Sequence, residues 1–496
     1  MRGFVVPPRA EALLRAVAGH AAGIDAYVVG GTVRDALLGR EVRDLDLALA
    51  GDARGWARGL ADALGGHFVA LDDARDVARV ALDDGGVRQI DVAALQGTLN
   101  DDLRRRDFTV DALAVPLAGG AVIDPCGGLR DLGARLVRMT SPAAFDADPL
   151  RLLRAVRIAA ELGFTLEPAT SAAVRARARH VLDAAAERRR DELCRMLALD
   201  DAASGLWLLD AAGLMDALLP EVAAGKGVTQ PKEHAYDVFE HNMRTVGAVD
   251  IILAPARPAG QSAWLWEELW DAFGWCEERL RHYFVEAPGR GQPRAVLLRL
   301  AALLHDVAKP QTRERQPDGR VRFFGHADAG ARTAGEILHR FRFPARDTRW
   351  VVLLVEQHLR PVQLARPGEA PTRRALYRFF RDLGDAAEAT LFLSLADAAA
   401  ARGPKMTRAG WRRHVAYMNS LLVRSSEDEG IVHPPRLLTG RDIMSALGLV
   451  EGPGIGRLLA ALEEAQAGGE VRDREGALAF VKEQVRGGPG TADTSR

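Results

Sequence analysis

Apolar and polar residues alternate through 26–30, 43–49, 67–71, 77–82, 87–93, 110–115 and 121–123, the period of two that predicts strands. Residues 9–20, 32–38 and 53–64 instead repeat apolar positions every three or four residues, the spacing of amphipathic helices. From Asp148 on the strand pattern nearly vanishes, and helical spacing covers 148–162, 169–182, 184–198, 202–211 and 212–218. The chain therefore reads as α+β: an N-terminal head with a mixed sheet and helices, followed by all-α regions. Breaks rich in Gly, Pro and Ser fall at Thr140-Ser141-Pro142, near 225 and at 425–436. They predict a head over 1–140, a helical region over 141–225, a histidine-bearing helical region over 226–425, a small helical unit over 426–486 and a disordered tail over 487–496. The segment 253–292 is a tryptophan-rich insert (Trp264, Trp266, Trp270, Trp275), read as core-facing aromatics of an inserted helix rather than as a partner surface.

Composition narrows the class. At 496 residues, 48% of them hydrophobic, the chain is long enough for three or four domains, each with its own core. A net charge of −1 gives no global sign of nucleic-acid binding, so any such surface is a local patch. The basic residues are overwhelmingly Arg, for which a GC-rich genome with high Ala, Gly and Arg is a simpler reading than phosphate recognition. Cys126, Cys194 and Cys276 lie far apart with no CxxC, which fits a reducing cytoplasm. No signal-peptide core opens the chain and no apolar run approaches a membrane span, so a soluble cytoplasmic protein is expected.

The densest chemistry lies in VVGGTVRDALLGREVRDLDLAL (28–49). Residues two apart in a strand share a face, so Asp44 and Asp46 project together while Leu45 and Leu47 face the core. Paired carboxylates repel unless cations sit between them, and a pair of Mg²⁺ ions riding on substrate phosphates is the usual solution. Gly30 and Gly31 let the backbone approach a triphosphate and donate N–H groups to it. A solvated strand edge beside a tight turn is the plain alternative. A third carboxylate on a neighbouring strand would complete a two-metal site, and Asp91 in VRQIDVA points away from Ile90 and Val92 as required; an edge-strand solvent face is its alternative. In DDLRRRDFTVDALA (101–114), Arg106 is suited to bidentate phosphate binding, and Asp107 to orienting an Arg or accepting from a ribose hydroxyl. Asp148, Arg151, Arg154 and Arg157 stand three apart. An Asp–Arg pair there can read the amine-next-to-acceptor edge that cytosine and adenine share and that uracil and guanine reverse. A row of solvated ion pairs explains the same spacing.

Taken together, GGTVRDALLG with DLD, DDLRRRDFTVDAL, DPCGGLRDL, DPLRLLRAVRIAAELGF and ERRRDEL resemble the ordered motifs of bacterial tRNA nucleotidyltransferases, the CCA-adding relatives of poly(A) polymerases. The match spans roughly residues 25–220. It implies a nucleotidyltransferase head followed by helical neck, body and tail that clamp tRNA. It also implies that Asp44 and Asp46 bind Mg²⁺, and that Gly30, Gly31 and Arg34 hold the triphosphate. Arg106 and Asp107 would line the nucleotide pocket, and Asp148 with Arg151 would select CTP and ATP. Three positions depart from the family pattern: Ala147 stands for the usual Glu, Asp111 for the usual Asn, and the stretch after Asp91 is shorter than the flexible loop of enzymes that switch from C to A. In this family a missing loop goes with CC-adding enzymes. No basic-aromatic signature follows the DLD strand, which argues against polyadenylation.

Downstream, His241, the adjacent His305-Asp306 and Asp397 follow the order of HD-domain phosphohydrolases, which region 234–400 resembles. His326 and His358 are candidate ligands for a second metal. Imidazole with carboxylate suits a transition metal such as Mn, Ni, Fe or Zn. Such a site would activate water against a 2′,3′-cyclic phosphate or a monoester at an RNA end; a lapsed structural module is the alternative. In the C-terminal unit, the Gly-Pro-Gly-Ile-Gly turn (452–456) opens a helix and serves either RNA phosphate contact or plain packing. The leading reading is a template-independent enzyme that adds C and A to tRNA 3′ ends from CTP and ATP, with an HD phosphohydrolase attached. A CC-adding specialist comes second. An RNA-binding or regulatory HD protein with an inactive head comes third, and the intact GG, DLD and RRDFT set argues against it.

Overall fold

The structure, a computed structural model, describes residues 8–21, 23–42, 44–74, 76–82, 87–231, 234–289, 291–365, 369–427 and 434–487. Arg43 of the expected second strand, 428–433 of the third break and 488–496 of the tail lie outside them. Contacts divide the chain into two compact units, Met1–Leu199 with Ser204–Leu218, and Asp200–Ala203 with Leu219–Arg496.

The first unit is built on a six-stranded sheet: β1 (Ala26–Val29), β2 (Asp44–Leu49), β3 (His67–Asp72), β4 (Val77–Ala81), β5 (Gln89–Ala94) and β6 (Ala114–Pro116), in the order β3-β4-β5-β2-β1-β6. β2 and β5 run parallel and their neighbours antiparallel, so the sheet is mixed. Leu45, Leu47, Ile90 and Val92 are buried on the core side as the alternation requires. A first helix, α1 (Pro8–His20), precedes β1. α2 (Gly31–Leu37) leaves β1 directly, and α3 (Ala53–Leu64) follows β2, capped by Asp52 accepting from Gly55 N–H at 2.8 Å.

Local geometry departs from the expected elements in places that matter for the site. The strand expected over 110–115 begins instead as a 3-10 turn at Thr109–Asp111 and reaches the sheet only at Ala114. The expected strand 121–123 is a single bridge between Ile123 and Ala114. Three short helices were not expected, α4 (Leu99–Arg104), α5 (Gly128–Ala134) and Ala144–Ala147. The helix expected to open at Asp148 opens at Arg151, and Asp148 is extended at φ −153°, ψ 105°. The cause is Pro149, whose ring disfavours helical backbone in the residue before it. Helices Arg151–Leu162, Pro168–Ala176 and Ala186–Leu197 continue this unit.

Among its described residues the second unit is helical apart from one hairpin, β7 (Glu314–Arg315) with β8 (Val321–Arg322). Helices Val238–Ile252, Arg294–Leu304 and Ala387–Arg402 pack on one another, and His326–Arg340 packs on Ala345–Gln357. The tryptophan-rich segment forms a helix over Ala263–Phe273. Trp270 is buried against Phe392, Trp266 and Trp270 donate to the carbonyls of Ala254 and Ile252, and Trp275 remains half exposed with its N–H on Asn419. Of the four tryptophans only Trp270 is buried; Trp264 and Trp266 are half-buried, so the core-facing expectation holds for part of the insert. A separate cluster around Leu438, Ile443, Leu462 and Val481 closes the C-terminal helices.

Candidate nucleotidyl-transfer and metal sites

The parallel register of β2 and β5 sets Asp46 beside Asp91, and Asp44 lies two residues before Asp46 on the same face. The three carboxylates thus share one patch of the sheet. Burial, with Asp91, Asp111 and Asp44 adding negative charge against the pull of Arg106, pushes Asp46 up to about 7. Burial and Asp91 raise Asp44 as well. Raised carboxyls such as Asp44 and Asp46 favour a nearby cation, and an all-oxygen donor set suits Mg²⁺. Arg79, directly opposite on β4, bonds both oxygens of Asp91 at 2.7 and 2.8 Å.

The glycine turn fits around this patch. Gly30 has φ 70°, and a Cβ there would lie 2.9 Å from Arg106 Nη1 and 3.3 Å from Asp46 Oδ2. Glycine is needed both for the backbone and to let arginine and carboxylate approach. Thr32 ties the turn to the acidic strand: its hydroxyl donates to the Asp44 carbonyl at 3.1 Å and accepts from Asp46 N–H at 2.8 Å. Asp102 holds Arg106 at 3.3 Å, and the Arg106 Nε is buried without a hydrogen bond.

Arg34 is not a free phosphate ligand. Only 5% exposed, it donates to Asp111 at 2.6 Å and to Asp35 at 2.9 and 3.0 Å. Asp111, the departure from Asn, gives Arg34 a charged partner; burial nevertheless raises the Asp111 carboxyl. Asp107 is likewise buried, and Arg154 at 2.7 Å outweighs that burial and holds it below the ordinary range. Arg157 donates to Glu192 at 2.6 Å. Arg154 and Arg157 are therefore committed to buried carboxylates and do not form a row of partners with Asp148. Asp148 accepts from Leu150 N–H at 3.1 Å and from both arms of Arg188 at 3.2 and 2.7 Å, and Arg151 donates to the Ala144 carbonyl at 3.2 Å. Asp131 is fully buried and takes Thr109 at 2.7 Å and Arg138 at 2.9 Å.

The strand-to-helix connection after β5 consists of only Leu95–Thr98. Leu95 N–H bonds the Leu49 carbonyl at 2.8 Å. Thr98 and Asp101 form a reciprocal capping box, the Thr98 hydroxyl bonding the Asp101 carboxylate at 2.6 Å and accepting from Asp101 N–H at 3.2 Å. Both ends of the connection are pinned.

In the second unit His241, His305, Asp306 and Asp397 converge. His241 Nε2 lies 3.1 Å from His305 Nε2, 3.4 Å from Asp306 and 3.1 Å from Asp397. Asp306 belongs to two triads, one with His241 and His305 and one with His326 and His358. Its Oδ1, buried without a hydrogen bond, lies 3.4 Å from His326 Nε2 and 3.8 Å from His358 Nε2. Nδ1 of His305, His326 and His358 lies 2.7–2.9 Å from a backbone carbonyl, leaving each Nε2 toward the cluster. A carboxylate shared between two imidazole pairs is a donor set able to hold metal ions.

Thr32, Arg79, Arg188 and, beside the histidines, His234 and Lys309 escaped sequence reading. Thr32, following the Gly-Gly turn, and Lys309, three residues after Asp306, carried local signals; Arg79 and Arg188 act on Asp91 and Asp148, 12 and 40 residues away.

A family model described as the poly A polymerase head domain matches residues 26–138, one for a probable RNA-binding site of polymerase A matches 163–226, and one for the HD domain matches 268–401. An A-adding tRNA nucleotidyltransferase of Deinococcus radiodurans is 39% identical, across 94% of this chain and 97% of its own. A CC-adding tRNA nucleotidyltransferase of Thermus thermophilus is 38% identical, across 92% and 93%. The fold matches a solved CCA-adding enzyme in complex with ATP at a TM-score of 0.62 and 20% identity, covering 98% of this chain and 100% of that one. With its head motifs, its helical continuation and these full-length likenesses, the chain belongs to the bacterial tRNA nucleotidyltransferase family, a family of enzymes.

Proposed function

We propose that this enzyme extends the 3′ end of tRNA with C residues from CTP and stops before the terminal A. The supporting observation is the pinned connection Leu95–Thr98. A pocket that takes C and then A must change shape between nucleotides, and here the segment beside the metal carboxylates is four residues long and bonded at both ends. A fixed pocket suits one kind of base. The CC-adding relative of Thermus thermophilus agrees with C; the A-adding relative of Deinococcus radiodurans makes an A specialist the second reading.

In this reading Asp44, Asp46 and Asp91 would hold Mg²⁺, which when bound would neutralise the triphosphate and lower the pKa of the attacking hydroxyl. The tRNA 3′-oxygen bonds to the α-phosphorus of CTP, the bond to the β-phosphate bridging oxygen breaks, and pyrophosphate leaves. Arg106, beside Asp46, faces the phosphates as they pass, and Gly30 leaves them room. Asp148, held by Arg188, accepts from the exocyclic amine of the base, and Arg151 donates to its ring acceptor. Arg34–Asp111 and Arg154–Asp107 hold the floor on which these groups stand. In the second unit His241, His305, Asp306, Asp397, His326 and His358 would hold transition-metal ions, which when bound would supply an activated water for a 2′,3′-cyclic phosphate; in that hydrolysis water oxygen bonds to phosphorus, one ribose P–O bond breaks, and that oxygen leaves with a proton. The test uses full-length enzyme with tRNA lacking CCA and with tRNA ending in C-C, each with labelled CTP or ATP. Two C residues on the first and none of either label on the second is the expected result. A added to the C-C end refutes the C-only reading.

A further inference from the structure

Beside the histidine–aspartate cluster lies a cavity of about 500 Å³, within the range that accommodates a mononucleotide. Asp306, His326 and His358 line its metal side and Lys309 sits next to them, 2.5 Å from Asp306 and 2.6 Å from Gln230. Strand β8 of the hairpin and the residues after it also line the cavity, Arg322 among them, and Phe324 lines it while remaining 64% exposed. Phe323 is next to it, its ring centre 5.5 Å from Lys309 Nζ. A large exposed aromatic lining a cavity gains most when a flat apolar partner covers it, and every nucleobase has such a face. The cations supply what the base does not need: charge for a ribose phosphate held over the cluster.

We propose that this hairpin is a nucleoside platform, with Phe324 stacking the base of a 3′-terminal nucleotide while Arg322 and Lys309 hold its ribose phosphate. The site then selects RNA ends over small phosphates. The proposal rests on the hydrolytic reading of the cluster, yet the two fail separately. Binding of 3′-CMP and of ribose 3-phosphate, which lacks the base, is measured by calorimetry on the metal-free full-length protein. Hydrolysis of cytidine 2′,3′-cyclic phosphate and of its abasic counterpart is then followed with Mn²⁺ added. Wild type should bind 3′-CMP about tenfold more tightly than the abasic ligand. Phe324→Ala should remove that preference, and Phe324→Trp should restore it. Equal binding of both ligands by wild type, or an unchanged preference in Phe324→Ala, overturns the platform. Base-dependent binding with no hydrolysis of either compound supports the platform and overturns the hydrolytic reading alone.

Discussion

Removing Arg34 should damage the head more than removing its partner. Arg34→Met leaves Asp111 buried, beside Asp107 and without the guanidinium 2.6 Å away. Breaking a buried pair from one side costs about 3–5 kcal/mol, because the remaining charge is uncompensated. The stranded carboxyl can escape by binding a proton. At pH 7, protonating a carboxyl of ordinary pKa costs about 4 kcal/mol, and at pH 5 only about 1.5. Asp111 already sits above its ordinary range in the folded chain, so these figures are ceilings. The sign follows: the penalty is fullest at neutral pH and shrinks as pH falls and the carboxyl takes its proton. Asp111→Asn instead keeps an acceptor for Arg34 and relieves Asp46 of one negative neighbour, so its cost is about 1–2 kcal/mol. Native-state hydrogen exchange of head peptides carrying Val29 and Ala112, at pH 5 and pH 7, measures both variants. The reasoning is refuted if Arg34→Met costs the same at the two pH values, or less than Asp111→Asn.

Arg188→Ala should raise the KM for CTP and increase UMP misincorporation, since Asp148 loses the arginine that orients it; competition between labelled CTP and UTP reads this, and unchanged selectivity counts against the role. Asp250, buried and bonded to Arg299 at 2.6 Å, has its carboxyl pushed from 3.8 up to about 6, chiefly by burial. The folded chain thus holds this proton more tightly, so the group's contribution is greatest below 3.8 and is lost as pH rises through 6. The stability deficit of Asp250→Asn should narrow by about 2 kcal/mol between pH 4.5 and 7.5; thermal melts showing a constant or widening gap contradict this. Thr98→Ala removes the capping acceptor and should cost about 1 kcal/mol, seen as faster exchange at the Asp101 amide. Asp306→Asn should empty both metal positions, whereas His326→Ala should empty only one; metal analysis of purified protein checks this, and full occupancy in Asp306→Asn refutes the shared carboxylate.

Much of the head was legible because its signals are local. Alternation placed Asp44 and Asp46 on one face and Asp91 on another strand without knowledge of strand order. What was missed depends on pairing across the sheet or between helices. Arg79 meets Asp91 only because β4 and β5 lie in antiparallel register, and Arg34 meets Asp111 across 77 residues. Asp148 was misplaced onto a helix because its spacing from the arginines is helical, while Pro149 keeps its backbone extended. The strand expected at 110–115 was drawn from apolar alternation that also serves the 3-10 turn presenting Asp111. In the second unit residue order suggested the histidine cluster, but the position of Asp306 between two imidazole pairs is a tertiary property.

The most direct test of the transfer centre is CMP incorporation into tRNA lacking CCA by Asp44→Asn and Asp46→Asn, with tRNA affinity measured on the same preparations. Both variants should bind tRNA as wild type does and incorporate no label; substantial incorporation by either would contradict the assignment of these carboxylates.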